Sequence, residues 1–257
     1  IMQVLKDLFI KNGDLNIDKF ISSNKHLTYF KNGIFFSEGF AFINFFKMFN
    51  CDILIESGLR YGGSTRMFLN FFDNSTTILT NDLFEQHTKD IGNTLNLIKK
   101  DYNNRNWKFY PGDGEKVILD LIKKYENTDK KIAVLIDGPK YEIALKIQEE
   151  CLKFKNVKFV AIHDMGDGPY TLPKYKGNKL LLSIEKLRQD EKFIFSTDSL
   201  WYRKKYANRI DNEIHKNSMT PIWNHYKNKY PIGCGLVFCQ NPLNTLKFHK
   251  NDENLYY

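Results

Sequence analysis

Five short apolar runs, each ending at or beside an acidic residue and each followed by a longer polar stretch, constrain this chain more than any other feature. The runs predict strands over Asp52–Glu56, Thr77–Asp82, Trp107–Pro111, Ile132–Asp137 and Lys158–His163. The stretches after them predict helices over Ser64–Phe72, Lys89–Lys100, Gly114–Tyr125 and Tyr141–Phe154. In the last of these, Ile143, Ala144, Ile147, Cys151 and Leu152 fall on one helical face, with Lys146, Glu149, Glu150 and Lys153 on the other. Short strands alternating with amphipathic helices are the pattern of an α/β protein built on a parallel sheet. A further helix is expected over Asn178–Gln189, and further strands over Phe193–Thr197 and Gly235–Cys239.

The chain of 257 residues suits one sizeable domain with a decoration. Residues 1–50 are expected to form a helical N-terminal extension packed on the sheet, and 51–257 the main domain. Within the extension, Ser37 is a reasonable helix N-cap, and Phe42, Phe45, Phe46 and Phe49 then recur at the spacing of a single helix face. An aromatic stripe of that kind covers a sheet more often than it lines a ligand box.

Hydrophobic residues at 42% allow a packed core, which excludes a disordered chain. A net charge of +8 is compatible with an acidic partner, but no Lys/Arg block is dense enough to require one. Cys51, Cys151, Cys234 and Cys239 form no zinc spacing, and three of them sit in or beside apolar runs, where a free thiol acts as a small hydrophobe. A reducing, cytoplasmic setting fits that usage. Residues 1–12 do not read as a signal peptide, and no apolar run reaches the roughly 20 residues of a membrane helix.

The chemistry concentrates where the strands end. The first strand finishes in Glu56 and runs at once into Ser57-Gly58-Leu59-Arg60-Tyr61-Gly62-Gly63-Ser64. In open parallel sheets, ligands bind at the carboxyl ends of the strands, where glycines allow close approach and the following helix offers free N–H groups. A glycine-rich turn alone is a weak signal. Its company is more specific: Asp82 ends the second strand, Asp113-Gly114 follows the third, Asp137 the fourth, and His163-Asp164 the fifth. Any one of these acids could be a helix cap, but five in a row along one edge are hard to explain by capping. A dinucleotide fingerprint fails because Arg60 stands where its middle glycine would be, and a phosphate loop fails because no lysine precedes Ser64. Glu56 would repel a pyrophosphate and suits a ligand carrying a positive amino group.

The segments ILIESGLRYGGST, ILTNDLF, FYPGDGEKVILDLI, VLIDGPK and AIHDM resemble, in order and spacing, the successive motifs of class I, Rossmann-like S-adenosylmethionine-dependent methyltransferases. The glycine-rich turn is most similar to small-molecule O-methyltransferases and the cephalosporin-hydroxylase-like group. The resemblance covers roughly residues 50–165. It implies a doubly wound, mostly parallel seven-stranded sheet with an antiparallel last strand and helices on both faces. It further implies that Glu56 and Gly58 face the methionine portion of S-adenosylmethionine and Asp82 the ribose, with Gly62, Gly63 and Ser64 also binding the cofactor. Asp113 and Gly114 would lie by the adenine, and Asp137 near the methyl-transfer centre. Arg60 departs from the commoner glycine pattern.

Methyl transfer to oxygen needs the acceptor aligned and its proton removed, by a base or with a metal. His163 and Asp164 are the base candidates, against the alternative that His163 is a structural histidine. The family's magnesium set matches Asp137 and Asp164, but Met165 is a poor ligand for a hard cation. Asp167 is the candidate replacement. An insertion at about 198–231 interleaves aromatics with cations, which suits a small sugar-like or phosphorylated acceptor, or else forms a cap or homo-oligomer interface. The Gly166–Lys176 loop borders the same edge. The expected reaction is methyl transfer to an oxygen of a sugar or related metabolite. A nucleic-acid methyltransferase is the competing enzyme, disfavoured by the lack of a base-gripping Pro-Pro motif. A non-catalytic Rossmann-like binding module is the competing non-enzyme.

Overall fold

The computed structural model of the chain describes residues 34, 36–139, 141–163, 181–183 and 237–241. Asp164, Met165, Asp167, Cys234, the Gly166–Lys176 loop, the expected strand Phe193–Thr197, the 198–231 insertion and most of the lead-in before Phe36 lie outside the described residues. The elements run α1 (Phe36–Met48), β1 (Ile53–Ser57), α2 (Gly63–Phe71), β2 (Thr77–Asp82), α3 (Thr88–Asp101) and β3 (Trp107–Pro111). They continue with α4 (Gly114–Lys124), β4 (Ile132–Ile136), α5 (Tyr141–Cys151), β5 (Val157–Ile162), β6 (Leu181–Ser183) and β7 (Val237–Gln240).

The sheet order is β3-β2-β1-β4-β5-β7-β6. Strands β1 to β5 are parallel, and β7 pairs antiparallel with both β5 and β6. Two sequence expectations change. The segment expected to be the helix Asn178–Gln189 contains strand β6 instead. Its Leu180-Leu181-Leu182 run fits either period, and pairing with β7 decides it, because an apolar run that short carries no reliable helical signal. Ser37, expected as a cap, lies inside the first turn of α1, which starts at Phe36.

Alternation along the central strands divides the core into two layers. Ile53 and Ile55 of β1, Val134 and Ile136 of β4, and Val160 and Ile162 of β5 join Ile118 and Ile122 of α4 and Ala144 and Ile147 of α5. On the opposite face, aromatic rings from ahead of β1 dominate. Phe42, Phe45 and Phe49 place their ring centroids 5.2, 6.0 and 5.6 Å from that of Phe159 on β5. Phe42 also meets Phe68 of α2 at 5.1 Å. Every residue of β1 is buried, as a strand covered on both faces must be.

Register sets the functional rim. Ser57 pairs with Asn81 on one side and Ile136 on the other, and Ile136 pairs with Ile162. The strand ends are therefore level, and Gly58, Asp82, Asp137 and His163 leave the sheet side by side. The chain winds outward in one direction from β1 to β3 and in the other from β4 onward. The gap between β1 and β4 is therefore the topological switch point, where open sheets of this kind bind ligands.

Candidate functional site

Glu56 is the most constrained acid of the rim. It sits one residue before the end of β1 and is wholly buried. Its Oε1 accepts the Ser64 hydroxyl and its Oε2 the Thr65 hydroxyl, both from the first turn of α2. Burial pushes its pKa from 4.5 up to about 7, against the two hydroxyl donors, which lower it. The carboxylates of Asp137 and Asp82 push it in the same direction as burial, so both aspartates lie within electrostatic reach of Glu56.

The turn after β1 is braced from three sides. Gly58 has φ +112°, and a Cβ there would fall 2.6 Å from the Gly138 nitrogen and 2.9 Å from the Asp137 carbonyl carbon. Only glycine lets the β1 and β4 exits meet this closely. The Asp137 and Gly138 amides both donate to the Ser57 carbonyl, at 2.7 and 2.8 Å. Arg60, at the position where a glycine is commoner, has φ 30°. Its backbone amide donates to Asp82 Oδ2 at 2.7 Å, and its carbonyl accepts the Thr94 hydroxyl from α3 at 2.8 Å. Its guanidinium lies over the Tyr61 ring, 4.8 Å from the centroid, and 3.8 Å from Asp90. Gly62 closes the turn as the residue capping α2, with α3 packed against it through Thr94.

On the β4 side of the switch point, Asp137 Oδ1 lies 2.8 Å from His163 Nδ1. The His163 side chain is 4% exposed and that of Asp137 15%. A carboxylate on Nδ1 favours the tautomer with the proton on that nitrogen, leaving Nε2 as the basic atom. The pair comes from two strands whose ends are in register, with helix α5 between them in the sequence.

The remaining expected site residues are placed as follows. Asp113 is exposed and is the N-cap of α4, its Oδ1 accepting the Glu115 amide at 2.9 Å. Gly114 packs under the rim, where a Cβ would fall 2.6 Å from Ser57 Oγ and 2.9 Å from Pro139. Gly63 and Ser64 open α2 and are buried. Of the five-acid row, Asp82 and Asp137 both act on Glu56, Asp113 is turned to its own helix, and Asp164 lies outside the described residues. Three residues that the sequence does not single out, Ser57, Asn81 and Thr65, are integral to the rim. Thr65 follows Ser64 at the start of a helix next to a buried acid, and that adjacency is a signal the sequence does carry. Among the described residues no group of three His, Cys, Asp or Glu side chains forms a metal cluster. Among them, too, no helix is long and apolar enough to cross a membrane. Cys51 and Cys151 are free thiols whose pKa values burial pushes upward, which makes them unreactive.

No protein-family profile and no curated protein matches the chain. Among solved structures, an O-methyltransferase from Bacillus cereus in complex with SAH is 11% identical, over 93% of this chain and 100% of its own, with a TM-score of 0.43. The O-methyltransferase TomG from Streptomyces achromogenes, involved in tomaymycin synthesis and in complex with SAM, is 9% identical over 93% of this chain and 95% of its own, at TM-score 0.43. An SAH-bound methyltransferase from Podospora anserina is 14% identical over 62% of this chain and 68% of its own, at TM-score 0.39. At identities and TM-scores this low, function rests on the geometry of the rim itself.

Proposed function

We propose that this chain is an S-adenosylmethionine-dependent methyltransferase that acts on a small polar acceptor, at an oxygen of a sugar or related metabolite. One observation carries the reading: at the level strand ends beside the switch point, the carboxyl group of Glu56 stands within electrostatic reach of both Asp82 and Asp137. Such a rim disfavours a pyrophosphate and suits a ligand with a net positive charge. The donor set fits the adenosyl cofactor. Asp82 keeps Oδ1 beside an Oδ2 already held by the Arg60 amide, and a carboxylate so oriented accepts ribose hydroxyl protons. Glu56, behind the glycine turn, adds negative charge for the amino-acid end as pH rises through about 7.

S-adenosylmethionine would supply an electrophilic methyl group at this rim. The chain's own contribution is to orient both partners and to take the acceptor's proton. His163, with Nδ1 held by Asp137, receives that proton at Nε2. A hydroxyl acceptor needs such a base, because its proton must leave as the O–CH3 bond forms. The sugar-like acceptor rests on the interleaved aromatic and cationic residues of the 198–231 insertion.

Calorimetric titration with S-adenosylmethionine and with NAD, on the wild type and on Asp82→Ala, tests the reading. The expected result is binding of S-adenosylmethionine only, weakened at least about tenfold by the substitution, as loss of a charge-assisted bond implies. Equal binding of NAD, or binding of neither ligand, would overturn it.

A further inference from the structure

We infer that Asn81, an amide hidden in the middle of the rim, is a positioning residue that, together with the Gly112 amide on the Asp82 carbonyl at 3.0 Å, fixes the turn after β3 beside the ribose-side acid Asp82. It does so by clamping that turn to the end of β1. The inference rests on the adenosyl reading above for its ligand, but the clamp itself stands on hydrogen bonds. Asn81 is 1% exposed. Its Oδ1 accepts the Ser57 hydroxyl at 3.0 Å, and its Nδ2 donates to the carbonyls of Tyr110 at 3.0 Å and Gly112 at 2.9 Å. Its backbone carbonyl receives the amides of Gly58 at 2.8 Å and Leu59 at 3.3 Å. One residue therefore reaches the exits of β1, β2 and β3. The Ser57 carbonyl, bound to the Asp137 and Gly138 amides, extends the connection to β4.

The chemistry of the position is narrow. A planar amide offers one acceptor and two donors in fixed relation, and all three are used here. Aspartate has the same shape but no donors, and it would turn a charge toward two carbonyl oxygens. Leucine fills the volume and leaves both carbonyls and the Ser57 hydroxyl without their partner. The fit around the clamp is tight on its far side as well. A Cβ on Gly114 would stand 2.6 Å from Ser57 Oγ and 3.2 Å from Asn81 Oδ1, so the start of α4 is seated directly on the Ser57–Asn81 pair. Releasing Asn81 thus removes the side-chain ties of Tyr110 and Gly112 to the end of β1. It leaves the turn joined to Asp82 through the Gly112 amide on the Asp82 carbonyl, at 3.0 Å, while the Asp137–His163 pair and the Ser64–Glu56–Thr65 bonds remain anchored elsewhere.

Two measurements on Asn81→Leu and Ser57→Ala test this together. The first is amide hydrogen exchange on the full chain without ligand. Exchange across residues 110–115 is expected to rise at least about tenfold in Asn81→Leu, with β4 and β5 unchanged. Ser57→Ala removes one oxygen and leaves both Asn81 donors in place, so it should move the same amides by a smaller factor. The second is calorimetry with 5′-methylthioadenosine, whose affinity should fall at least about tenfold in Asn81→Leu, the scale of two lost hydrogen bonds. Unaltered exchange at 110–115 overturns the clamp, and altered exchange with unaltered affinity overturns its role in ligand positioning. A wild type that binds neither 5′-methylthioadenosine nor S-adenosylmethionine sinks the adenosyl reading, while the exchange result still decides the clamp.

Discussion

The carboxylate of Asp137, at the exit of β4, holds Nδ1 of His163, at the exit of β5, at 2.8 Å. That contact gives Asp137 a role beside the one expected at the cofactor, because it fixes which ring nitrogen carries the proton and which is the basic one. His163→Ala should leave S-adenosylmethionine affinity within about twofold and cut turnover at least ~100-fold. Asp137→Asn should keep the ring in place but favour the wrong tautomer, with a comparable loss. Single-turnover rates measured beside calorimetric affinities check both, and unchanged turnover in His163→Ala removes it from the mechanism.

Glu56 should make the protein's stability depend on pH in a direction unusual for a carboxylate. Its folded pKa, raised from 4.5 to about 7, exceeds its unfolded value. The folded state therefore binds the extra proton between those values. Glu56 contributes stability that is fully present below about pH 4.5 and is lost as pH rises through about 7. Urea unfolding of wild type and Glu56→Gln at pH 5 and pH 8 isolates this contribution. The wild type should lose stability relative to the glutamine variant between the two pH values, by at most about 3 kcal/mol. A gain of the same sign as an ordinary salt-bridged acid would contradict the assignment.

Gly58→Ala should damage both stability and ligand binding. The backbone at φ +112° alone disfavours alanine by about 1–3 kcal/mol, and the new methyl group meets the Gly138 backbone nitrogen. The β1 and β4 exits must then separate, which moves Asp137 away from Asp82. A lowered thermal midpoint together with weaker S-adenosylmethionine binding is the expected outcome. A variant with wild-type values for both would mean that the two turns do not need to touch.

Phe159→Ala should be destabilising without being directly functional. The ring is 1% exposed and is enclosed by Phe42, Phe45 and Phe49 of the helix and turn ahead of β1. Truncating it should lower stability by about 3–5 kcal/mol. At temperatures where the variant stays folded, its affinity for S-adenosylmethionine should match the wild type's. Denaturant midpoints and calorimetry separate the two effects.

What is legible in the sequence follows from how each signal is carried. Strands β1 to β5 and helices α2 to α4 can be read within a residue or two, and α5 ends three residues before its expected end. Burial on both sheet faces forces continuous apolar runs in β1, β4 and β5, and amphipathic helices must separate the strands. The Phe42–Phe49 stripe is readable for the same reason, since one helix face meets one layer of core. Glu56, Asp82 and Asp137 can be placed on the rim because each ends a strand. The pairing of Asp137 with His163 is not legible, since it depends on β4 and β5 being in register rather than on spacing along the chain. Asn81 escapes notice because its importance lies in three directed hydrogen bonds, which leave no periodic trace. Asp113 follows the local rule of helix capping, which one sequence cannot separate from a ligand role. Strand β6 is mistaken for helix because its pairing partner lies more than fifty residues further on.

The Phe42, Phe45 and Phe49 rings over Phe159 also bear on how this protein can be cut. A fragment that starts at Cys51, where the alternation of strands and helices begins, would leave the α1 side of β5 and the Phe68 surface bare to water. Such a piece should be recovered as insoluble aggregate. A workable minimal version has to retain the aromatic helix beginning at Phe36.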